Sequence, residues 1–551
     1  MVVQIGNAAR DKSSLHRPVI AGNRGRRPLD PGVPQFESQE AILTVWGDWG
    51  IPRPPFSRET SEPSYAALQA PGQTDGTMLF CSLEFLPFFV LVFSLYWLLP
   101  WNQARVGLLL AASFWFYSSW NSWLAILIVA STTIDFAIGL GLERCQNLAA
   151  RRALLATSIT FNLGLLAYFK YVNFFLESLQ EALHLAGWQT NWPLLQVLLP
   201  VGISFYTFEA ISYTVDVYLG RVRAERHLSH LLLFVLFFPH LVAGPIVRAR
   251  DFLPQVARPK RWSWLRAQWG AELFLLGLVK KLLIADRMAL LADPVFANPD
   301  QYGTAAVWFG VVAYGIQIYG DFSGYSDMAI GLAHLLGYRL GVNFRRPYLA
   351  QSMSEFWHRW HISLSTWLRD YVYIPLGGSR GTNAQTERNL LITMGLGGLW
   401  HGASWPFVLW GLLHGMLLIA DRRLRAASAR RPECQAWLQT RAGQFACTAS
   451  VVLCVSLGWV LFRAPSLSVA VDIYRRLFWP VLGSGLKQPM AGYALLLAGF
   501  VMGQWLVEQG HWRRRWRELP AGVQMAGYAL AALLVGFLAP SSGQAFIYFQ
   551  F

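Results

Sequence analysis

The sequence predicts an all-α polytopic membrane protein, and three observations carry that reading. Of 551 residues, 54% are apolar and 15% aromatic while only 14% are charged, too few charges to cover a soluble globule of this size. Apolar runs recur along the chain at lengths suited to a bilayer. Between them arginines gather in short clusters, and the formal net charge of +15 is distributed as in cytoplasmic loops of multi-pass proteins. The spacing predicts about ten to twelve membrane segments, with re-entrant or interfacial helices among them.

Residues 1–77 are of a different composition. They hold nine of the 28 prolines, eight basic and eight acidic residues, and no apolar run long enough to span or to serve as a signal. Translation is expected to begin at Met78, with a genuine disordered arm over 1–77 as the alternative, and the membrane domain is expected to occupy 78–551. The clearest apolar runs are "LEFLPFFVLVFSLYWLLP" (83–100), "WLAILIVASTTIDFAIGLGL" (123–142), "LLATSITFNLGLLAYF" (154–169) and "ASVVLCVSLGWVLF" (449–462). Basic clusters stand at 221–226, 248–262, 422–431 and 513–517. Two of them flank 228–247, which is expected to dip into the bilayer and return on the same side. Such basicity points to topology and anionic lipid contact, not to nucleic acid. The five cysteines show no CxxC spacing and read as small core residues, neither disulfide framework nor zinc site.

Chemistry concentrates in "MSEFWHRWHISLSTWLRDYVYIPLGG" (353–378). Ser352 and Glu355 form a capping-box start, and Pro375, Gly377 and Gly378 a stop. A single helix between them would place Phe356, Trp357, Trp360, Leu364, Trp367 and Tyr371 on one face and His358, His361, Ser365 and Arg369 on a polar flank. Such a helix suits an interfacial anchor or the wall of a polar cavity.

A second stretch, "RNLLITMGLGGLWHGASWPFVLWGLLHG" (388–415), sets His401 after Trp400 in an apolar run. Gly395, Gly397, Gly398 and Gly402 let neighbouring backbone approach closely. An ionisable residue at such depth is a functional candidate; His414 is expected to be a satisfied packing histidine. A third stretch, 314–338, carries Asp321 and Asp327, able to bind a cation, line a tunnel, or pair with arginines such as Arg345 and Arg346.

"DFSGYSDMAIG", "NFRRPYLAQSMSEFWHRWHISLSTWLRDYVYIPLGG", "GLWHGASW" and the terminal "FIYFQF" resemble the membrane-bound O-acyltransferase family, and within it the bacterial alginate O-acetyltransferase branch. "FFPHLVAGPIVR" and "GLVKKLLIADRMA" extend the likeness, which covers essentially Met78 to Phe551. Gly320 stands where relatives usually carry a bulkier residue. The resemblance implies helices around a tunnel with funnels on both faces. It also implies transfer of an acetyl or other short acyl group from a cytoplasmic thioester to an extracytoplasmic glycan, in the bacterial inner membrane. The family's catalytic histidine falls on His401 and its second signature histidine on His361; Trp360, Trp400, Asp321 and Asp327 become tunnel or structural candidates. Ser365 and Arg369 are expected at the donor funnel, where arginine forks suit the phosphates of acetyl-coenzyme A. No bound cofactor or metal is expected. The acceptor reads as alginate, with cellulose, peptidoglycan or teichoic acid as alternatives, and a periplasmic or membrane-tethered acetyltransferase subunit is expected as partner.

Independently of the resemblance, acyl transfer to a hydroxyl needs a base, and a neutral imidazole near pH 7 serves. No G-x-S-x-G elbow accompanies these histidines. A proton-coupled transporter would instead use the mid-membrane acids and histidines as a relay and should show repeat symmetry.

Overall fold

The structure is a computed structural model describing residues 78–195, 199–242, 244–486, 498, 499, 502, 516, 518–538, 546 and 547. The expected extension 1–77 and, apart from Trp516, the basic cluster 513–517 lie outside the described residues. Among these the chain is helical, and the one bridge between extended segments pairs Tyr302 with Ser484.

Helices α1 (Phe85–Leu98), α2 (Asn102–Ser118), α3 (Ser122–Arg144) and α4 (Leu148–Leu166) succeed one another through short turns. A π-helical turn, Ala167–Tyr171, continues α4 into α5 (Val172–Leu185). Next come α6 (Ile203–Tyr218), α7 (Leu228–Leu236), α8 (Phe238–Leu241) and α9 (Ala249–Val256). Helix α10 (Trp264–Leu278) runs through a second π-helical turn, Val279–Ala285, into α11 (Asp286–Ala297) and then α12 (Thr304–Leu335). The last part holds α13 (Met353–Arg359), α14 (Ile362–Leu368), a π-helical turn Arg369–Tyr373, α15 (Asn383–His401), α16 (Trp405–Ser428), α17 (Pro432–Gln439), α18 (Arg441–Arg463), α19 (Leu467–Phe478) and α20 (Ala521–Leu538).

Three stretches among the described residues are long and apolar enough to cross a bilayer: Ser122–Arg144, Leu148–Leu185 and Arg441–Arg463, with Phe85–Leu98 and Ala521–Phe537 apolar but shorter. Each of the three starts on a side-chain cap, from Asn121, Asn147 and Thr440 respectively, which satisfies amide groups the first turn leaves open. Inside the first two spans, Ser158 donates to Asp135 at 2.6 Å and Asn162 at 2.9 Å, so a carboxylate buried in a span finds hydrogen bonds in place of water. The segment 228–247 folds as α7 and α8, broken at Phe237. At 1.5 Å per residue, two helices of 9 and 4 residues span roughly 20 Å together, short of a hydrocarbon core of roughly 30 Å.

The long helix α12 lies at the centre, buried on every side from Tyr314 to His334. Helix α10, the π-helical turn after it and α11 pack along α12, and this contact decides the fate of the acids. Lys280 pairs with Asp327 at 2.5 Å, and Lys281 with Asp321 at 2.8 Å and Asp286 at 2.9 Å. The partners are therefore lysines of "GLVKKLL", not Arg345 or Arg346. Adjacent lysines can both reach α12 because the π-helical turn spreads them differently from a regular helix. Asp321 also accepts from the Ile547 amide at 2.7 Å, and the Phe546 ring lies 4.3 Å from that of Tyr325. The near-terminal chain thus seals the same buried patch.

The stretch 353–378 departs from the single helix expected. It breaks at Trp360 and His361, where His361 takes a left-handed conformation with φ of 41°. Ser352 caps the Glu355 amide as expected, but the Glu355 carboxylate reaches Gln351 instead of the Ser352 amide. The break reorients α14 relative to α13, so the polar flank does not exist as one surface. His358 stays exposed and bonds the Ser354 carbonyl, whereas His361 is fully buried.

Candidate active site

His401 is the last residue of α15. That helix starts on a reciprocal cap between Thr382 and Gln385 and stops where Gly402, Ser404 and Pro406 open α16. The two helices cross at glycines: a Cβ on Gly398 would stand 2.2 Å from the Phe407 carbonyl, and one on Gly411 2.2 Å from that of Met394. Only hydrogen fits at both points. The close crossing presses the His401 ring among Trp400, Trp410 and Phe462, at centroid distances of 4.9, 5.1 and 5.1 Å. Below it, Lys170 from the first π-helical turn donates to the carbonyls of Trp400 at 2.7 Å and His401 at 3.0 Å. A cation there answers the unsatisfied carbonyls and negative dipole end of α15.

His361 reaches the same place from the break between α13 and α14. Its ring centre lies 6.3 Å from that of His401, with Phe322 at 4.6 Å and Trp400 at 6.0 Å. Its Nδ1 stands 3.2 Å from Asn343 Oδ1, and its Nε2 is buried without a hydrogen-bond partner. Trp400 gives its indole N–H to the Ser204 carbonyl and stacks on Phe208, which in turn lies 3.7 Å from Trp367. Trp360, also buried, packs on Phe344 and Trp459. Two imidazoles are thus held in an aromatic box built from α6, α12, α13–α14, α15, α16 and α18.

The other sequence candidates lie further out. Ser365 donates to the Trp360 carbonyl at 3.1 Å, so it serves the helix break. Arg369 pairs with Asp370 at 2.7 Å. Asp370 also faces Arg248 at 3.7 Å, whose guanidinium lies over the Tyr371 ring, forming a small charged cluster. Asp321 and Asp327 are tied to Lys281 and Lys280. His414 is buried against Trp410 and Trp357, but neither ring nitrogen has a hydrogen-bond partner, so it packs without being satisfied. Lys170 and Asn343 are the site residues the sequence did not single out. Lys170 carried one signal, a cation ending the apolar run 154–169; Asn343 carried none beyond its place in a matching motif.

Residues 222–458 match the profile of the membrane-bound O-acyltransferase family. A protein named probable alginate O-acetylase from Pseudomonas aeruginosa is 45% identical over 406 residues, covering 73% of this chain and 75% of its own. A peptidoglycan O-acetyltransferase from Helicobacter pylori is 35% identical over 398 residues, 67% of this chain and 72% of its own. A teichoic acid D-alanyltransferase from Bacillus subtilis is 27% identical over 235 residues, 40% of this chain and 58% of its own.

Proposed function

Since this chain belongs to the membrane-bound O-acyltransferase family, we propose that it acetylates an exopolysaccharide, with alginate as acceptor, using acetyl-coenzyme A or another acyl thioester presented from the cytoplasm of a bacterial inner membrane. The protein is a membrane acyltransferase; the choice of acceptor rests on the relatives with 43–45% identity over 73% of this chain. The single observation that supports the chemistry is the buried pair His361 and His401, 6.3 Å apart.

In this reading His401 takes the proton of the attacking hydroxyl while the hydroxyl oxygen bonds to the acyl carbon. The C–S bond of the thioester then breaks, and the imidazolium returns its proton to the thiolate, leaving ester and thiol. The aromatic box keeps water from competing for the acyl group. Ser365 and Arg369 belong to the donor side, where Arg369 together with Arg248 offers guanidinium groups to phosphates. A periplasmic or membrane-tethered acetyltransferase subunit completes delivery to the glycan.

Acetyl transfer in reconstituted vesicles tests this. Wild-type protein with its partner subunit should move radiolabelled acetyl from the thioester to polymannuronate, and His401→Ala should not. Transfer to cellulose or peptidoglycan fragments but not to polymannuronate would replace the acceptor. Full transfer by His401→Ala would remove the base assignment.

A further inference from the structure

At the helix break, a buried amide side chain faces one ring nitrogen of His361. Asn343, fully buried, lies against residues 361–363. Its main-chain carbonyl accepts from the Ile362 amide at 2.8 Å. Its side-chain Oδ1 accepts from the Ser363 amide at 3.2 Å and from the Ser363 hydroxyl at 2.9 Å, while its Nδ2 donates to Ser326 on α12 at 3.2 Å. A backbone N–H can only donate. The atom of Asn343 facing it is therefore the oxygen, and the amide orientation is dictated by chemistry instead of assignment.

The same oxygen lies 3.2 Å from His361 Nδ1. Ser363 Oγ also stands 3.5 Å from Nδ1, but its single hydrogen has the shorter contact to Asn343 Oδ1 at 2.9 Å. With that hydrogen so directed, the Asn343 contact is a hydrogen bond only when Nδ1 carries the proton, which leaves the lone pair of the neutral ring on Nε2. Nε2 is buried and has no hydrogen-bond partner. Around the ring, Phe205, Phe322 and Phe344 offer no polar atom, and the Trp400 indole N–H is engaged by Ser204. Among the described rings packed on His361, His401 is the one left to meet that lone pair, its ring centre 6.3 Å away.

We infer that Asn343 is a positioning residue that fixes His361 in the Nδ1–H form, so that His361 Nε2 acts as a hydrogen-bond acceptor toward His401. This rests on the acyl-transfer reading and deepens it. Neutral His361 accepts at Nε2 and cannot donate there, so it does not hold the acyl oxygen. It steadies the imidazolium that His401 becomes when it takes the hydroxyl proton, the part a carboxylate plays behind the histidine of a serine hydrolase. The proton count balances: His401 gains one from the hydroxyl and passes one to the departing thiolate, and His361 remains neutral throughout.

Two measurements test the inference. In wild-type protein labelled with [¹⁵N]histidine, the His361 resonances, identified by their loss in His361→Gln, should show Nδ1 protonated and Nε2 bare; a protonated Nε2 overturns the inference without any variant needing to fold. In the transfer assay, Asn343→Leu should lower kcat by roughly 10²-fold with the donor KM little changed. Asn343→Asp, which still accepts from Nδ1–H and the Ser363 amide, should recover at least a tenth of wild-type kcat. Equal kcat for Asn343→Leu and wild type overturns the inference, as does an Asp variant that melts like wild type yet is as slow as Leu. If His401→Ala and His361→Ala both keep full transfer, the acyl-transfer reading itself fails; if both lose it while Asn343→Leu does not, only this inference fails.

Discussion

The rings of His361 and His401 meet edge-on with 63° between their planes, one at a left-handed residue between two short helices and the other at the end of α15. Neither helix alone would place a histidine there; the pair exists because a break and a helix terminus meet. His401→Ala should lower kcat by about 10²–10⁴-fold, the usual range for losing a general base, with the thermal midpoint in detergent close to wild type. A loss under threefold would show that the reaction does not use this ring.

Lys170 holds the end of α15 by two carbonyls. Lys170→Met removes hydrogen bonds to a charged donor, each worth roughly 1.5–3 kcal/mol, and frees the terminus that aims His401. Both the melting temperature and kcat should fall, and Lys170→Arg should restore part of each. Unchanged melting with unchanged kcat would mean that aromatic packing alone fixes His401.

The lysine–aspartate pairs distinguish a structural role from a proton pathway. Asp327→Ala leaves Lys280 buried without its partner, and breaking such a pair costs about 3–5 kcal/mol. Replacing both partners, Lys280→Met with Asp327→Leu, should recover most of the stability because no charge is stranded. Transfer by the double variant, measured per folded molecule, should stay within a few-fold of wild type. A folded double variant without activity would return Asp327 to the chemistry and favour the relay reading.

How legible each feature was in the sequence depends on how local its signal is. The apolar runs at 123–142, 154–169 and 449–462 became α3, α4 and α18 because length and hydropathy act within one segment. His401 was legible because glycines at 398 and 402 announce close packing around an ionisable group. The break at His361 was not, since "WHRWHIS" contains no glycine or proline and reads as uninterrupted helix. It is held open from outside, by Asn343 bonding residues 361–363 and by Arg345 donating its amide to the Arg359 carbonyl. A left-handed non-glycine residue costs roughly 1–3 kcal/mol, and only tertiary contacts of that kind offset it. The acids were legible as buried polar groups, but their partners lay in a π-helical turn that no periodicity announces.

The glycine crossing offers a test of how tightly His401 is placed. In Gly411→Ala the added methyl meets the Met394 carbonyl, so α15 and α16 must move apart by a fraction of an ångström or more. Because a displacement near 1 Å at a catalytic group can cost 10²-fold, activity should fall by about that factor even in protein that remains folded. Gly395→Ala, whose methyl would meet only the flexible Leu412 side chain at 3.3 Å, is the control and should lose little. Equal losses would show that general loosening, not the crossing, limits the reaction.

Topology gives the last prediction. The loop after the π-helical turn at 369–373 carries exposed Ser379 and Arg380, and the loop preceding α13 carries Arg345 and Arg346. Positive charge near membrane segments marks the cytoplasmic face, the side from which a coenzyme A thioester would arrive. In a variant lacking its five native cysteines, Ser379→Cys should react with an impermeant maleimide only when reagent reaches the cytoplasmic face, as in inside-out vesicles, and donor thioester should slow that reaction. Labelling only in intact spheroplasts would invert the topology, and with it the assignment of Arg369, Ser365 and Arg248 to the donor side, while leaving the histidine pair untouched.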